Sequence, residues 1–166
     1  MKKYEYILRY AMQMELDGYN FFKEKAEEFI DPTTKNLFLK LADVEMDHYN
    51  LLKAQFENYL ERDSFDLDTN LFNRDEDNIF KKREKSEHID DTLVESNVPD
   101  ITILRMAYLI ERDYAEFYRK AAEKAPDEDA KRLFERLAKW EEGHEKLFKE
   151  EYDRKMEEYM NLPWGG

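Results

Sequence analysis

Six residues of this 166-residue sequence have the types and spacing to hold metal ions: Glu15, Glu45, His48, Glu111, Glu141 and His144. Glu45-Met46-Asp47-His48 and Glu141-Glu142-Gly143-His144 are Glu-x-x-His pairs. On a helix, residues three apart share a face one turn apart, so each pair can bind one ion while its carboxylate bridges toward a second. A single such pair would say little in a chain this rich in Glu. Here two of the three histidines have one, in register, each with a matching Glu on the helix before it. The third, His88, has Lys85 three residues upstream and is read as a solvated surface residue.

The stripes on which these six fall are apolar, which places them in a core. A buried carboxylate without a partner costs several kcal/mol or is neutralised, and several together repel one another. No basic residue falls on the central stripe beside them, which argues against a structural ion-pair network. Two divalent cations would balance the four carboxylates, with neutral imidazoles completing the shells. The chain has no Cys, so thiolate zinc, iron-sulfur clusters, rubredoxin-type iron and cysteine nucleophiles are excluded. Oxygen-rich ligation with two imidazoles suits iron or manganese better than structural zinc or calcium.

The positions of these residues follow from an internal repeat. Residues 7–53 align without a gap on residues 103–149 at an offset of 96, with 19 of 47 pairs identical. The identities include Ile7-Leu8-Arg9 with Ile103-Leu104-Arg105, Leu37-Phe38 with Leu133-Phe134, Leu41-Ala42 with Leu137-Ala138, and the ligand pairs themselves. Within each copy, apolar or small residues recur at the helical period. Ile7, Ala11, Met14, Gly18, Phe22 and Ala26 mark a first helix; Leu37, Leu41, Val44, Leu51 and Leu52 mark a second that continues to about Leu60. Asp31-Pro32 separates the two, as Pro126-Asp127 does in the second copy, and Pro32 suits a first helical turn.

The pattern predicts an all-α fold, a four-helix bundle built from two helical hairpins at 4–60 and 101–160. Between them, a charged segment at 61–100 contains Arg74-Asp75-Glu76-Asp77 and ends at Val98-Pro99. Such a length is excessive for a turn but fits a crossover that runs the length of the bundle.

Composition narrows the function classes. The length predicts one domain, spanning 1–166, able to bury a core without disulfides. Gly and Pro number 4 each, too few for a hairpin-rich sandwich or barrel. With 40 acidic against 27 basic residues the net charge is -13, which disfavours nucleic acid and anionic membrane surfaces. Glu5 and Arg9 interrupt any signal-peptide core, and no apolar run approaches a membrane span, so a soluble cytoplasmic protein is expected.

On these residues the sequence resembles the rubrerythrin and bacterioferritin branches of the ferritin-like superfamily over about residues 4–160. The resemblance gives Glu15, Glu45, His48, Glu111, Glu141 and His144 the roles of the six di-metal ligands, binding two iron ions with manganese the alternative. Two departures stand out. An additional Glu expected one turn after the third-helix ligand is replaced by Tyr114, and the cysteine-ligated rubredoxin domain of rubrerythrins proper is absent from this sequence. The first brings the site closer to the symmetric bacterioferritin type. The second requires electrons from a separate donor, such as a rubredoxin-type protein.

Tyr118 lies two turns beyond Glu111, where related di-iron sites often have a tyrosine; its candidate role is a hydrogen bond beside the metals or a one-electron transfer, with core packing the favoured explanation. Met12, Met14, Met46, Tyr108 and Phe117 are read as core filling. The expected activity is reduction of hydrogen peroxide or dioxygen at a di-iron centre, in a homo-oligomer with a dimer favoured. The alternatives are a ferritin-like ferroxidase that stores iron, a non-catalytic metal-stabilised bundle that acts through a partner, and a di-manganese catalase. The tail, 161–166, cannot continue a helix and is expected to pack back, to fray or to dock on a partner.

Overall fold

A computed structural model describes residues 2–74, 76 and 97–162. His88 and residues 163–166 of the tail, on which expectations were placed, lie outside the described residues. The described helices are α1 (Glu5–Ala26), α2 (Pro32–Arg62), α3 (Asn97–Lys124) and α4 (Glu128–Met160). They form an all-helical four-helix bundle in which α1 pairs with α2 and α3 with α4. The long connection joins α2 to α3.

Local chemistry sets the helix ends. Asp31 caps α2, accepting from the backbone N–H of Thr33 at 3.1 Å and the hydroxyl of Thr34 at 2.8 Å, with Pro32 in the first turn. Asp127 caps α4 in the same way, accepting from Asp129 N at 2.8 Å and Ala130 N at 3.3 Å. The duplicated sequence thus repeats its capping device. Helix α2 ends at Asp63, whose φ of 56° places it in the left-handed region that terminates helices.

Two boundaries differ from the sequence expectation. The sequence expectation puts the crossover at 61–100, but α2 continues to Arg62 and α3 begins at Asn97, with Pro99 inside its first turn. Proline is tolerated there because a first-turn N–H has no intrahelical partner to lose.

The interior has two apolar layers with a polar layer between them. One layer gathers Leu8, Ala11 and Met14 of α1, Leu51 and Leu52 of α2, Tyr118 of α3 and Leu133, Phe134 and Leu137 of α4. The other gathers Phe22 and Ala26, Phe38 and Leu41, Leu104 and Ala107, and Phe148. The order in which each helix meets these layers shows that α2 and α3 run parallel to each other and antiparallel to α1 and α4. The crossover must therefore travel the length of the bundle. Its first part is not a solvated connection: Phe65, Leu67 and Phe72 enter the first layer. Buried Gln55 of α2 holds the start of this segment, accepting from Asp66 N at 2.8 Å and donating to the Asp66 carbonyl.

Phe38 sits at the centre of the second layer, with ring centroids 4.6 Å from Phe29, 5.6 Å from Phe22 and 5.3 Å from Phe148. Phe38→Ala is expected to lower stability by about 3–5 kcal/mol in a urea titration of the metal-free protein, because close neighbours on three sides cannot collapse into the cavity.

Candidate metal centre

The polar layer is made by the register of the helical stripes. On α1, Glu15 and Gly18 fall between Met14 and Phe22; on α2, Glu45 and His48 fall between Leu41 and Leu51. On α3, Glu111 follows Ala107, and on α4, Glu141 and His144 fall between Leu137 and Phe148. The structure brings all six sequence candidates together at mid-bundle, each at most 1% exposed.

They form two overlapping groups. Glu15, Glu45, His48 and Glu141 make one; Glu45, Glu111, Glu141 and His144 make the other. In each group the four ligand atoms lie within 4.8 Å of one another. Glu45 and Glu141 belong to both, which is the arrangement two adjacent ions need. His48 Nδ1 lies 2.8 Å from Glu141 Oε1 and 3.4 Å from Glu15 Oε2. His144 Nδ1 lies 3.4 Å from Glu45 Oε1 and 3.5 Å from both Glu111 Oε2 and Glu141 Oε2. Both histidines thus aim the same ring nitrogen at the carboxylates.

The donor set fits divalent cations. Glu15 Oε2, both oxygens of Glu45, both of Glu111 and Glu141 Oε2 are buried and make no hydrogen bond among the described residues. Buried polar atoms are ordinarily satisfied, and the four residues that carry these atoms all belong to the two ligand groups. Without cations, protons must supply the missing charge. Burial, followed by the nearby Glu141 carboxylate, raises Glu15, Glu45 and Glu111 above the ordinary carboxyl pKa. Burial opposes charge on the histidines, yet Glu76 and Glu15 around His48, and Glu111 around His144, hold both well above the usual imidazole range. Burial also opposes charge on Glu141, but Glu111, His144 and His48 hold it low. In the metal-free centre, burial and neighbouring charges thus favour protons on Glu15, Glu45, Glu111 and both histidines, and the charged form of Glu141.

The rubrerythrin family model matches residues 6–152. The chain belongs to the rubrerythrin family. Among solved structures, a hypothetical protein of Pyrococcus furiosus is similar, with a TM-score of 0.66 and 25% identity over 93% of this chain and 91% of that one. No curated protein matches. The chain is therefore a rubrerythrin-family bundle with a buried Glu/His di-metal site.

Tyr118 both packs in the core and hydrogen-bonds at the centre. It is fully buried in the first apolar layer, and its hydroxyl donates to Glu15 Oε1 at 2.5 Å. The acceptor is on α1, across the bundle, rather than on the helix that carries Tyr118. This bond occupies one oxygen of Glu15 and leaves Oε2 facing His48. Tyr118→Phe is expected to strand that buried oxygen and to lower stability by about 1–3 kcal/mol, measured by denaturant titration of the metal-free protein.

Tyr114 occupies the position where the family resemblance expected a further Glu. A Cβ placed on Gly18, its counterpart in the first repeat, would lie 3.1 Å from Tyr114 Cε2 and 3.5 Å from Glu45 Oε2. The pseudo-symmetric pair meets near the centre, and a methyl group at Gly18 would require the Tyr114 ring to move by a few tenths of an ångström.

Two residues of the site were not found from sequence. Glu76, in the crossover, is 3% exposed and lies against both histidines. Arg74 contacts both Glu76 and Asp47. In the sequence they form part of a charge run, and a charge run usually marks a solvated face. The only available signal was their place midway along a segment that has to pass the centre of the bundle.

Proposed function

We propose that the protein is a di-iron oxidoreductase, with manganese the alternative metal, that reduces hydrogen peroxide or dioxygen with electrons from an external donor. The observation that carries this reading is the pair of overlapping buried clusters sharing Glu45 and Glu141. Glu15 and His48 would complete one ion's shell, and Glu111 and His144 the other's. Two ferrous ions held side by side supply two electrons, the number required to reduce one peroxide to two waters.

The protein's own groups supply positioning and protection. Glu45 and Glu141 set the spacing between the two positions. Tyr118 restrains Glu15 through Oε1. The Phe22, Phe38 and Phe148 layer on one side, and the Leu133, Phe134 and Leu137 layer on the other, keep bulk water from the centre. Trp140 stacks on His48 at a centroid distance of 5.0 Å and an interplanar angle of 13°, holding that ring flat. No Cys occurs in residues 1–166, so these residues cannot form rubredoxin-type iron; an external donor such as a rubredoxin-type protein fits the reading.

The test is to load the protein anaerobically with ferrous iron, then to mix it with stoichiometric hydrogen peroxide or dioxygen while following ferric absorbance. Rapid oxidation by either, with turnover when a reductant is added, is the expected result. Oxidised iron accumulating inside a large multi-subunit particle would favour storage instead. Bound iron with no response to either oxidant would make the centre purely structural.

A further inference from the structure

The di-metal reading uses the Nδ1 face of each histidine and leaves the Nε2 face to be explained. His48 Nε2 lies 2.6 Å from Glu76 Oε1, and His144 Nε2 lies 3.1 Å from Glu76 Oε2. One carboxylate thus meets both rings, one oxygen to each. The rings are nearly parallel, with an interplanar angle of 6° and centroids 5.7 Å apart. Arg74 holds the same carboxylate from behind, its Nη2 donating to Glu76 Oε1 at 2.6 Å and its Nη1 donating to Asp47 of α2. Glu76 is therefore anchored to the helix that carries His48 while it reaches the histidine of α4.

We propose that Glu76 is a positioning residue for the metal centre, a single crossover carboxylate that accepts the Nε2–H of both His48 and His144 and so fixes both imidazoles with Nδ1 toward the metals. The proposal rests on the di-metal reading above. His48 and His144 are equivalent in the two repeats, so their Nε2 atoms converge on the pseudo-two-fold axis between α2 and α4. An acceptor on that axis serves both rings, and the crossover, which occurs once, can supply only one. A ligating histidine ordinarily gives its other ring N–H to a carboxylate, a carbonyl or water, which sets the tautomer and strengthens the ligand. What the structure assigns is the sharing of one acceptor by both halves of the centre, from a segment outside both repeats.

Shared support has a consequence that separate partners would not have: one substitution weakens both metal positions together. Glu76→Gln keeps the size of the side chain, removes its charge, and presents one oxygen where two rings need an acceptor. In anaerobic ferrous titrations against a competing chelator, E76Q is expected to bind two ions per chain, each about 10–100-fold more weakly than wild type. The ferric/ferrous midpoint potential is expected to rise, because less basic imidazoles stabilise the ferric state less. A potential shift distinguishes this role from simple structural support, which would alter melting temperature alone.

A second measurement needs no variant. In wild-type protein loaded with zinc as a diamagnetic probe, histidine nitrogen NMR is expected to place the ring proton of both His48 and His144 on Nε2. Wild-type affinity and potential in E76Q, or weakening of one ion only, would each overturn the proposal while leaving the di-metal reading intact; ring protons on Nδ1, which would bar that atom from ligation, would overturn the proposal and the ligand assignment together. Failure of the wild type to take up two ions would overturn both.

Discussion

Glu45→Gln is expected to abolish tight binding of both metal ions while the metal-free protein keeps its fold and its stability to within about 1 kcal/mol. The two halves of this result have the same cause. In the metal-free centre, burial and the neighbouring Glu141 and Glu15 carboxyls raise Glu45 well above the ordinary carboxyl pKa, which favours the neutral acid. Glutamine is close in size and charge to that form, and the most it forfeits is about one ordinary hydrogen bond. The loaded centre needs the carboxylate, and Glu45 belongs to both ligand groups. Its loss should exceed the roughly 10–100-fold in affinity that changes outside the ligand shell cost. Isothermal titration with ferrous iron under anaerobic conditions, alongside urea unfolding without metal, reads both halves. Two ions bound with wild-type affinity would mean that Glu45 does not bridge.

The second large effect is a pH dependence that has opposite consequences with and without metal. Glu15, Glu45 and Glu111 lie above the ordinary value of 4.5, and His48 and His144 above 6.5. Folding therefore takes up protons in the metal-free protein, and stability falls with pH wherever the native state binds more of them. What these carboxyls contribute is complete below their unfolded value, and likewise for the histidines, and it is lost as pH rises through the higher folded values. Glu76 and Glu141 are held below 4.5, Glu76 by the two histidines against the effect of burial, so their contribution is lost only in acid. The metal-free protein should be most stable in mild acid and lose stability toward alkaline pH.

Metal ions take the place of those protons, so binding releases protons and strengthens as pH rises. The rise in melting temperature on loading should be small at about pH 5 and large at about pH 8. The check is a series of thermal scans with and without saturating manganous ion, which avoids oxidation. A metal-free protein that gains stability from about pH 5 to pH 8 would show that the buried carboxyls are not held protonated.

The fold and the six candidate ligands were legible in the sequence for one physical reason. Buried charge on a helical stripe is expensive, and the duplication placed the same costly residues at the same offset twice, as Glu45 and His48 against Glu141 and His144. Periodicity marks apolar stripes clearly, so Glu15 and Glu111 stood out as interruptions. Glu76 did not stand out, because it lies in an unrepeated segment without helical period, flanked by charges that also suit solvent. Its burial is a product of tertiary structure: Phe65, Leu67 and Phe72 pull the start of the crossover into the core, and the chain must then pass the histidines. Tyr118 was half legible. Its helical face placed it near the centre, but contact with Glu15 depends on the distance between α1 and α3, which no single helix encodes.

The central claim is that the buried Glu and His side chains form one centre for two ions. Anaerobic titration of the metal-free protein with ferrous iron, read as iron retained per chain after removal of excess, tests it most directly. Two ions per wild-type chain, with fewer than two in the Glu45→Ala, His144→Ala double variant, is the predicted result. One ion or none per wild-type chain at saturation, or two still retained by the double variant, would contradict it.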